Sequence, residues 1–347
     1  MNNEIYIVIK EYNENLAKRQ PWYSIKKLKK DLENKGNKVY VISSLDEIPT
    51  GFKGKIIKIF SLNDIWNKKI NNFNNLYFFI TFPMYSFGKF LKMPKRILFE
   101  NWKDLKRIFI FSLIPKFFVK KILNKAKYNI AISDRSYDYI KSLGIENLLI
   151  YYPFQAGNWG EFKNLEIIKN QQTIGYFGPP FTTRYFDEIV NLFLWMRDKK
   201  FNFLKKIITR IERDELKNIE EKYLSKLKGD ENLKLISGFL TREELYRELK
   251  EIDLLILPFR IVMSELPIVV LEALELEIPV ITTKDCGIHN LVKDINKIEI
   301  MEEFDKKHYD NVISFLNKSS KLGPVFPKIL EKINKINHKT LEVICQK

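Results

Sequence analysis

The sequence predicts an α/β protein of two doubly wound domains. Short β-branched or aromatic runs recur along the chain with amphipathic helical stretches between them, the alternation that builds parallel sheets. With 347 residues, 45% of them apolar, the chain can fill two cores of ordinary size. Near its end, Ser264 to Thr283 reads as loop, helix and strand, one complete unit of such a sheet.

In the first half, Glu4 to Ile9 is a β-branched strand. Ser24 to Leu32 follows as a helix with Ile25, Leu28 and Leu32 on one face and Lys26, Lys27, Lys29 and Lys30 off it, and Gly36 ends it. Val39 to Ile42, Ile56 to Phe60 and Leu76 to Phe82 are further strands. Ile108 to Ile114 is nearly all apolar. Lys116 to Lys127 interleaves Phe118, Val119, Ile122, Leu123 and Ala126 with Lys120, Lys121 and Lys125, a basic amphipathic helix able to lie on an acidic membrane or to pack on the sheet. Asn129 to Pro153 supplies strand, capped helix and strand, completing a doubly wound domain.

The second half opens at Thr173 to Phe193, a strand, a Gly-Pro-Pro turn and an amphipathic helix. Ile207 to Ile211 is the next strand. Asn232 to Pro258 gives a strand, a turn at Gly238, a helix capped by Thr241 with Glu244 three residues on, and another strand. Pro267 can open the following helix, since the first turn needs no N–H, and Pro279 stops it after about Glu277. Phe326 to Val343 is helical in pattern.

Within that unit Glu265 and Glu272 bracket Leu266, Pro267, Ile268, Val269, Val270 and Leu271. Unpaired carboxylates are costly to bury, so two of them in an apolar window suggest a crevice wall that meets a polar ligand. The window resembles the nucleotide-sugar signature of retaining glycosyltransferases with the GT-B fold, family 4: a Glu, seven residues, a second Glu, then Ala, a helix, Pro and a strand. Glu272, Ala273, Pro279 and Val280 fit. Only six residues separate Glu265 from Glu272, and strict register puts Ser264 in the first glutamate's place.

The resemblance implies two Rossmann-like domains facing a cleft: residues 1–154 for the acceptor, a linker from Phe154 to about Gln172, residues 173–325 for the donor, and a helix in 326–347 returning to the first domain. It implies that Glu272 accepts from the ribose hydroxyls and that Glu265 or Ser264 faces the sugar. The turn of Leu266, Pro267 and Ile268, with the free N–H groups at the helix start, would seat phosphate. Gly178 and Arg184 match the family's glycine and lysine at the opening of the second domain, while Pro179 stands where the family has Arg. Arg184 would neutralise the departing diphosphate. Thr183, Arg210 and Arg260 are further diphosphate candidates, and Phe239 lies where the family's backbone meets the base. No metal or other cofactor is expected, the nucleotide sugar being a substrate. In the first domain the family's Gly-rich loop after the first strand and its later histidine are both missing. Lys10 to Gln20 has no glycine, and Phe82-Pro83-Met84-Tyr85-Ser86 stands where the histidine belongs.

Composition narrows the remaining classes. Two cysteines (Cys286, Cys345) exclude a disulfide framework, and three histidines give no metal spacing. No window reaches the ~20 apolar residues of a membrane span, and Met1 to Glu4 runs into a strand with no leader pattern, so a cytoplasmic protein is expected. The net charge of +16 is concentrated in residues 1–150, which hold 28 Lys and Arg against 13 Asp and Glu. Such a half seeks a polyanion: a lipid-linked or anionic glycan acceptor, or an acidic membrane at whose inner face the protein would lie. Nucleic acid ranks last, since no recognition module accompanies the charge. The reading is a nucleotide-sugar-dependent glycosyltransferase, with a nucleotide-sugar-binding protein lacking transferase activity as the alternative.

Overall fold

The computed structural model describes residues 4–10, 22–157, 159–162, 165–169, 171–209, 214–263, 265–319 and 322–346. The first sheet contains β1 (Glu4–Val8), β2 (Lys38–Ile42), β3 (Lys55–Ile59), β4 (Leu76–Ile80), β5 (Tyr128–Ala131) and β6 (Leu148–Ile150), all parallel, in the order β2-β1-β3-β4-β5-β6. Every residue of β4, LYFFI, is buried, as a strand covered on both faces requires. The covering helices are α1 (Trp22–Asn34), α2 (Phe87–Leu91), α3 (Lys95–Glu100), α4 (Trp102–Ser112), α5 (Lys116–Leu123) and α6 (Asp134–Ser142). In α1, Ile25, Leu28 and Leu32 form the buried stripe that the spacing predicts.

The basic amphipathic stretch is shorter than expected. α5 stops at Leu123, and Phe118 points outward while Val119, Ile122 and Leu123 are buried. Ile108 to Ile114 belongs mostly to α4, which buries Leu105, Ile108 and Phe111 and leaves Ile110 exposed.

The second sheet runs β12-β11-β10-β7-β8-β9, again all parallel. Its strands are β7 (Thr173–Phe177), β8 (Leu204–Thr209), β9 (Leu233–Ser237), β10 (Leu254–Leu257), β11 (Val280–Thr283) and β12 (Ile298–Met301). Its helices are α7 (Phe186–Asp198), α8 (Asp214–Leu224), α9 (Arg242–Lys250), α10 (Ile268–Glu275) and α11 (Tyr309–Ser319). Thr241 caps α9, its hydroxyl accepting the Glu244 N–H at 3.2 Å while the Glu244 carboxylate accepts from the Thr241 N–H at 2.7 Å. α10 ends sooner than the Pro279 signal suggests, because Glu277 turns into the left-handed region at φ 60°. Strand order reverses where β7 lies beside β10, so the carboxyl ends of these two strands open a crevice, the usual seat of a ligand in such sheets.

The domains meet in one continuous apolar core. It runs from the first sheet through Tyr85 and Phe154 to Ile261, Val262, Leu266 and Ile288 of the second domain. The final helix, α12 (Phe326–Cys345), belongs to this core through Ile329, Ile333 and Ile344 and crosses to the first domain. There Asn337 donates to the Tyr152 carbonyl and accepts from the Tyr152 N–H, both at 2.8 Å, and Thr340 donates to the Ile150 carbonyl at 2.6 Å. Replacing Asn337 by Leu leaves two buried backbone groups of Tyr152 unpaired, so urea denaturation should show a loss of about 2–4 kcal/mol.

Candidate active site in the interdomain cleft

The exit of β5 reads Ser133-Asp134-Arg135, and each residue grips the second domain. Ser133 caps α6 by accepting the Ser136 N–H at 3.2 Å, and its hydroxyl makes a short hydrogen bond to Glu265. The Asp134 N–H donates to the Gly287 carbonyl at 2.8 Å, while its carboxylate accepts the Asn290 N–H at 2.6 Å and the Tyr152 hydroxyl. Arg135 donates to the Glu265 carboxylate at 2.6 Å, the Glu265 carbonyl at 3.0 Å and the Asp285 carbonyl at 2.7 Å, and its guanidinium packs 4.8 Å above the Tyr85 ring. Burial works against the arginine's charge, but Glu265, Tyr85 and Asp285 more than compensate and hold its pKa above the ordinary value. Gly287 makes the approach possible: at φ +73°, any Cβ there would lie 2.9 Å from the Ser133 Cβ.

This corrects the role expected of Glu265. Its carboxylate is 0% exposed and saturated by Ser133 and Arg135, so it is turned away from the cleft and joins the domains instead of facing a sugar. Ser264 and Arg210 lie outside the described residues. Tyr85, in the stretch where the histidine was expected, organises the β4 exit loop. Its hydroxyl accepts from the Val262 N–H at 2.9 Å and from Arg135 at 3.0 Å, fixing the loop that leads into α10.

At the switch point the two cleft arginines have opposite fates. Arg260 is already neutralised. It forks onto Asp187, lies 3.9 Å from the Tyr185 ring centroid and donates to the Thr182 carbonyl, while Arg96 of the first domain reaches the same Asp187 at 2.9 Å. The expected diphosphate role therefore does not suit Arg260. Arg184, by contrast, has no carboxylate within 4 Å among the described residues, and its guanidinium rests 5.3 Å from the Phe259 ring centroid. Burial lowers its pKa, with Tyr176 opposing. Gly178, at φ +143°, leaves it room: a Cβ there would lie 2.5 Å from the Arg184 Nη1. Thr183 is fully buried, its carbonyl accepting from the N–H groups of Arg260 and Ile261, and its hydroxyl has no partner.

The segment after Glu265 is built as the spacing suggests. Leu266 is buried, Pro267 stands at the N-cap of α10 with no side-chain cap, and Ile268 begins the helix. Glu272, half-buried one turn on, has its pKa pushed up to about 7 by burial first and by Glu275 second, with Arg242 opposing. Tyr23 on α1 lies in the field of both glutamates and accepts the Gln155 N–H at 3.0 Å. Phe239 projects from the turn at Gly238, whose φ is +124°, and is largely exposed. Across the sheet, Phe239 follows β9, Gly178 follows β7 and Arg260 follows β10, so the candidate donor residues span the β9-to-β10 half.

The other half opens into a cavity of about 660 Å³ between the domains, walled by Tyr85, Lys89 and Arg135 on one side and Tyr185, Asp285 and Glu303 on the other. Lys89 crosses it to Asp285 at 2.5 Å. The sequence gives little warning of Arg135, Tyr85 or Asp187. The one available signal is the polar run Ser133 to Ser136, one residue beyond the apolar strand β5, a position that faces whatever lies across the sheet's carboxyl edge.

Residues 162–323 match the family model of the glycosyl transferases group 1. No curated protein is significantly similar to the chain in sequence. Among solved structures the fold is similar to Anabaena Alr3699/HepE in complex with UDP, with a TM-score of 0.64 at 10% identity over 98% of this chain and 99% of that one. It is also similar to a glycosyltransferase from Rickettsia africae (0.60, 13%, covering 99% and 98%) and to WaaG, a glycosyltransferase involved in lipopolysaccharide biosynthesis (0.52, 16%, covering 99% and 100%). The fold is GT-B. Within it, residues 162–323 of the second domain are similar to a glycosyl transferases group 1 domain.

Because Arg135 and Glu265 are buried as a pair, removing either partner strands the other charge. Glu265→Leu or Arg135→Met alone should cost about 3–5 kcal/mol in denaturant unfolding, and the double variant should recover much of it. Additive losses would mean that the two act separately.

Proposed function

We propose that the cleft transfers a glycosyl residue from a nucleotide sugar to an acceptor hydroxyl, with retention at the anomeric carbon and without a metal ion. The observation that carries this is Arg184: a half-buried guanidinium at the topological switch point, with room made by Gly178 and no carboxylate within 4 Å among the described residues. A cation partly withdrawn from water without a counter-ion is costly, and a diphosphate supplies the missing charge.

In this reading the diphosphate lies between Arg184 and the uncapped first turn of α10, whose N–H groups and dipole favour an anion. As the bond from the anomeric carbon to the diphosphate oxygen breaks, negative charge grows on the leaving oxygen. Arg184 stabilises that charge. Glu272 holds the ribose by accepting its hydroxyls, and Phe239 borders the base. The acceptor enters from the cavity beside Lys89 and Tyr185, on the far side of Arg184 from the nucleotide. Glu265 keeps the two walls in register through Arg135, the part the resemblance would have given to a sugar contact.

Arg184→Ala should lower kcat by about 100-fold or more while affinity for the bare nucleoside changes little, because the lost interaction is with developing charge. Near-parent turnover of a nucleotide sugar in this variant would remove Arg184 from the reaction.

Glu272→Ala should raise the donor KM more than it lowers kcat, since ribose contacts are alike in ground and transition states. Its titration adds a pH test. Between 4.5, the unperturbed glutamate value, and about 7 the folded protein keeps a proton that the unfolded chain has released. Stability from this group is thus present below 4.5 and lost as pH rises through about 7. Donor binding needs the carboxylate, so affinity should weaken as pH falls below about 7. Calorimetric titration of UDP across this range should show that dependence in the parent and lose it in Glu272→Gln.

A further inference from the structure

Apolar exposure on this protein is concentrated. Eight of the twelve exposed large hydrophobic side chains among the described residues fall between 87 and 118: Phe87 and Leu91 on α2, Phe99 on α3, Trp102 and Ile110 on α4, Leu113 after it, and Phe117 and Phe118 on α5. Leu91, Phe99 and Phe117 are 71%, 80% and 63% exposed. Lone exposed apolar residues need no explanation, but a run of them on four successive helices of one domain does. Part of the run is tied together by Phe109, whose ring meets Phe87 at 5.9 Å, Phe90 at 5.3 Å and Trp102 at 5.5 Å edge-on, joining α2 to α4.

The same stretch is strongly basic. Residues 87–127 hold twelve Lys and Arg against two acids, Glu100 and Asp104. On α5 the outward side carries Lys116, Lys120 and Lys121 together with Phe117 and Phe118, while Val119, Ile122 and Leu123 pack inward. An ordinary solvated face would carry the lysines without the aromatics.

We infer that the outer face of α2 to α5 docks on an anionic lipid bilayer, its aromatic and aliphatic side chains entering the headgroup region and its lysines and arginines meeting acidic lipid. Both halves of the interaction are needed, since polybasic attraction holds a protein near the surface and apolar insertion keeps it there. Exposed Leu91, Ile110 and Leu113 favour lipid over nucleic acid, which offers aliphatic side chains little. No helix among the described residues is long and apolar enough to span a membrane, so the contact is peripheral. The placement also has a consequence for the cleft. Helix α2 shows Phe87 and Leu91 to the outside, while Lys89 and the next turn, through Lys92 and Met93, line the 660 Å³ cavity. A bilayer seated on this face stands at the cavity mouth.

The inference stands independently of the donor assignment, and the test separates them. The full chain is sedimented at low ionic strength with vesicles of phosphatidylcholine alone and with equal parts phosphatidylcholine and phosphatidylglycerol, while UDP binding is titrated without lipid. Binding to the mixed vesicles alone is expected, weakening as salt rises. Lys116→Gln, Lys120→Gln and Lys121→Gln combined should lower the bound-to-free ratio about tenfold or more. Phe99→Ser with Phe117→Ser should do the same, while Ile168→Ser, an exposed apolar side chain outside the first domain, should not. UDP affinity should stay at the parent value in all of them, which also shows that they fold. Equal binding to neutral vesicles, or parent-like sedimentation of both patch variants, would overturn the docking face. So would self-association abolished by Phe99→Ser with Phe117→Ser, which would assign the face to a second copy, or tighter binding to duplex DNA than to mixed vesicles, which would assign it to nucleic acid.

Discussion

The pair of Arg135 and Glu265 is the constraint on which the cleft depends. Each ion is supplied by a different domain, neither can be left alone in the apolar core, and the arginine's Nη1 and Nη2 also donate to the Tyr85 hydroxyl and the Asp285 and Glu265 carbonyls. Such a pair adds little net stability over a well-packed apolar contact, because desolvation offsets attraction. Its directional bonds fix position instead. With Arg135 placed, Phe259 to Met263, Glu265 to Pro267 and the exit of β4 have one register, which aims the N-terminus of α10.

Charge pairing then sorts the arginines of the cleft by function. Arg260 and Arg96 share Asp187, Arg260 tying α7 to the exit of β10 and Arg96 tying it to the first domain. Arg184 sits one residue before the left-handed Tyr185 and faces Gly178 and Phe259, with no carboxylate within 4 Å among the described residues. The proposed division between a ligand-binding cation and a structural one rests on that difference in partners. Pro179, where the resemblance calls for a second basic residue, accepts from the Tyr176 hydroxyl at 2.7 Å through its carbonyl and stiffens the turn that Arg184 lies under.

The domain architecture was legible in the sequence because parallel strands buried on both faces leave a strong mark: LYFFI, YNIA and LLIL could hardly lie elsewhere. Gly178 and Arg184 were legible because a glycine and a cation at fixed spacing after a strand reflect a local constraint, here the 2.5 Å between a would-be Cβ and the guanidinium. Glu265 was misread for the opposite reason. A carboxylate in an apolar window must have a partner, but sequence cannot say whether that partner is a ligand or an arginine 130 residues away. Arg260 was misread likewise, its partner Asp187 lying across the sheet. The outward aromatics of α5 escaped a helical-face argument because Phe118 neighbours the buried stripe in angle and still falls on the solvent side.

The two halves of the molecule divide their electrostatics as they divide their chemistry. In the cavity, positive groups meet negative ones, Lys89 with Asp285, Lys284 with Glu302 and Arg260 with Glu188, and His289 is hydrogen-bonded to Asp138. A balanced wall of that kind binds by hydrogen bonding and shape, which suits a hydroxyl-rich acceptor. The excess positive charge sits instead on the outside of the first domain, where a Debye length of about 8 Å limits its reach to a surface nearly in contact. The proposed membrane attraction and the proposed transfer thus use different faces, and α2 connects them by turning Phe87 and Leu91 outward and Lys89 toward the cleft.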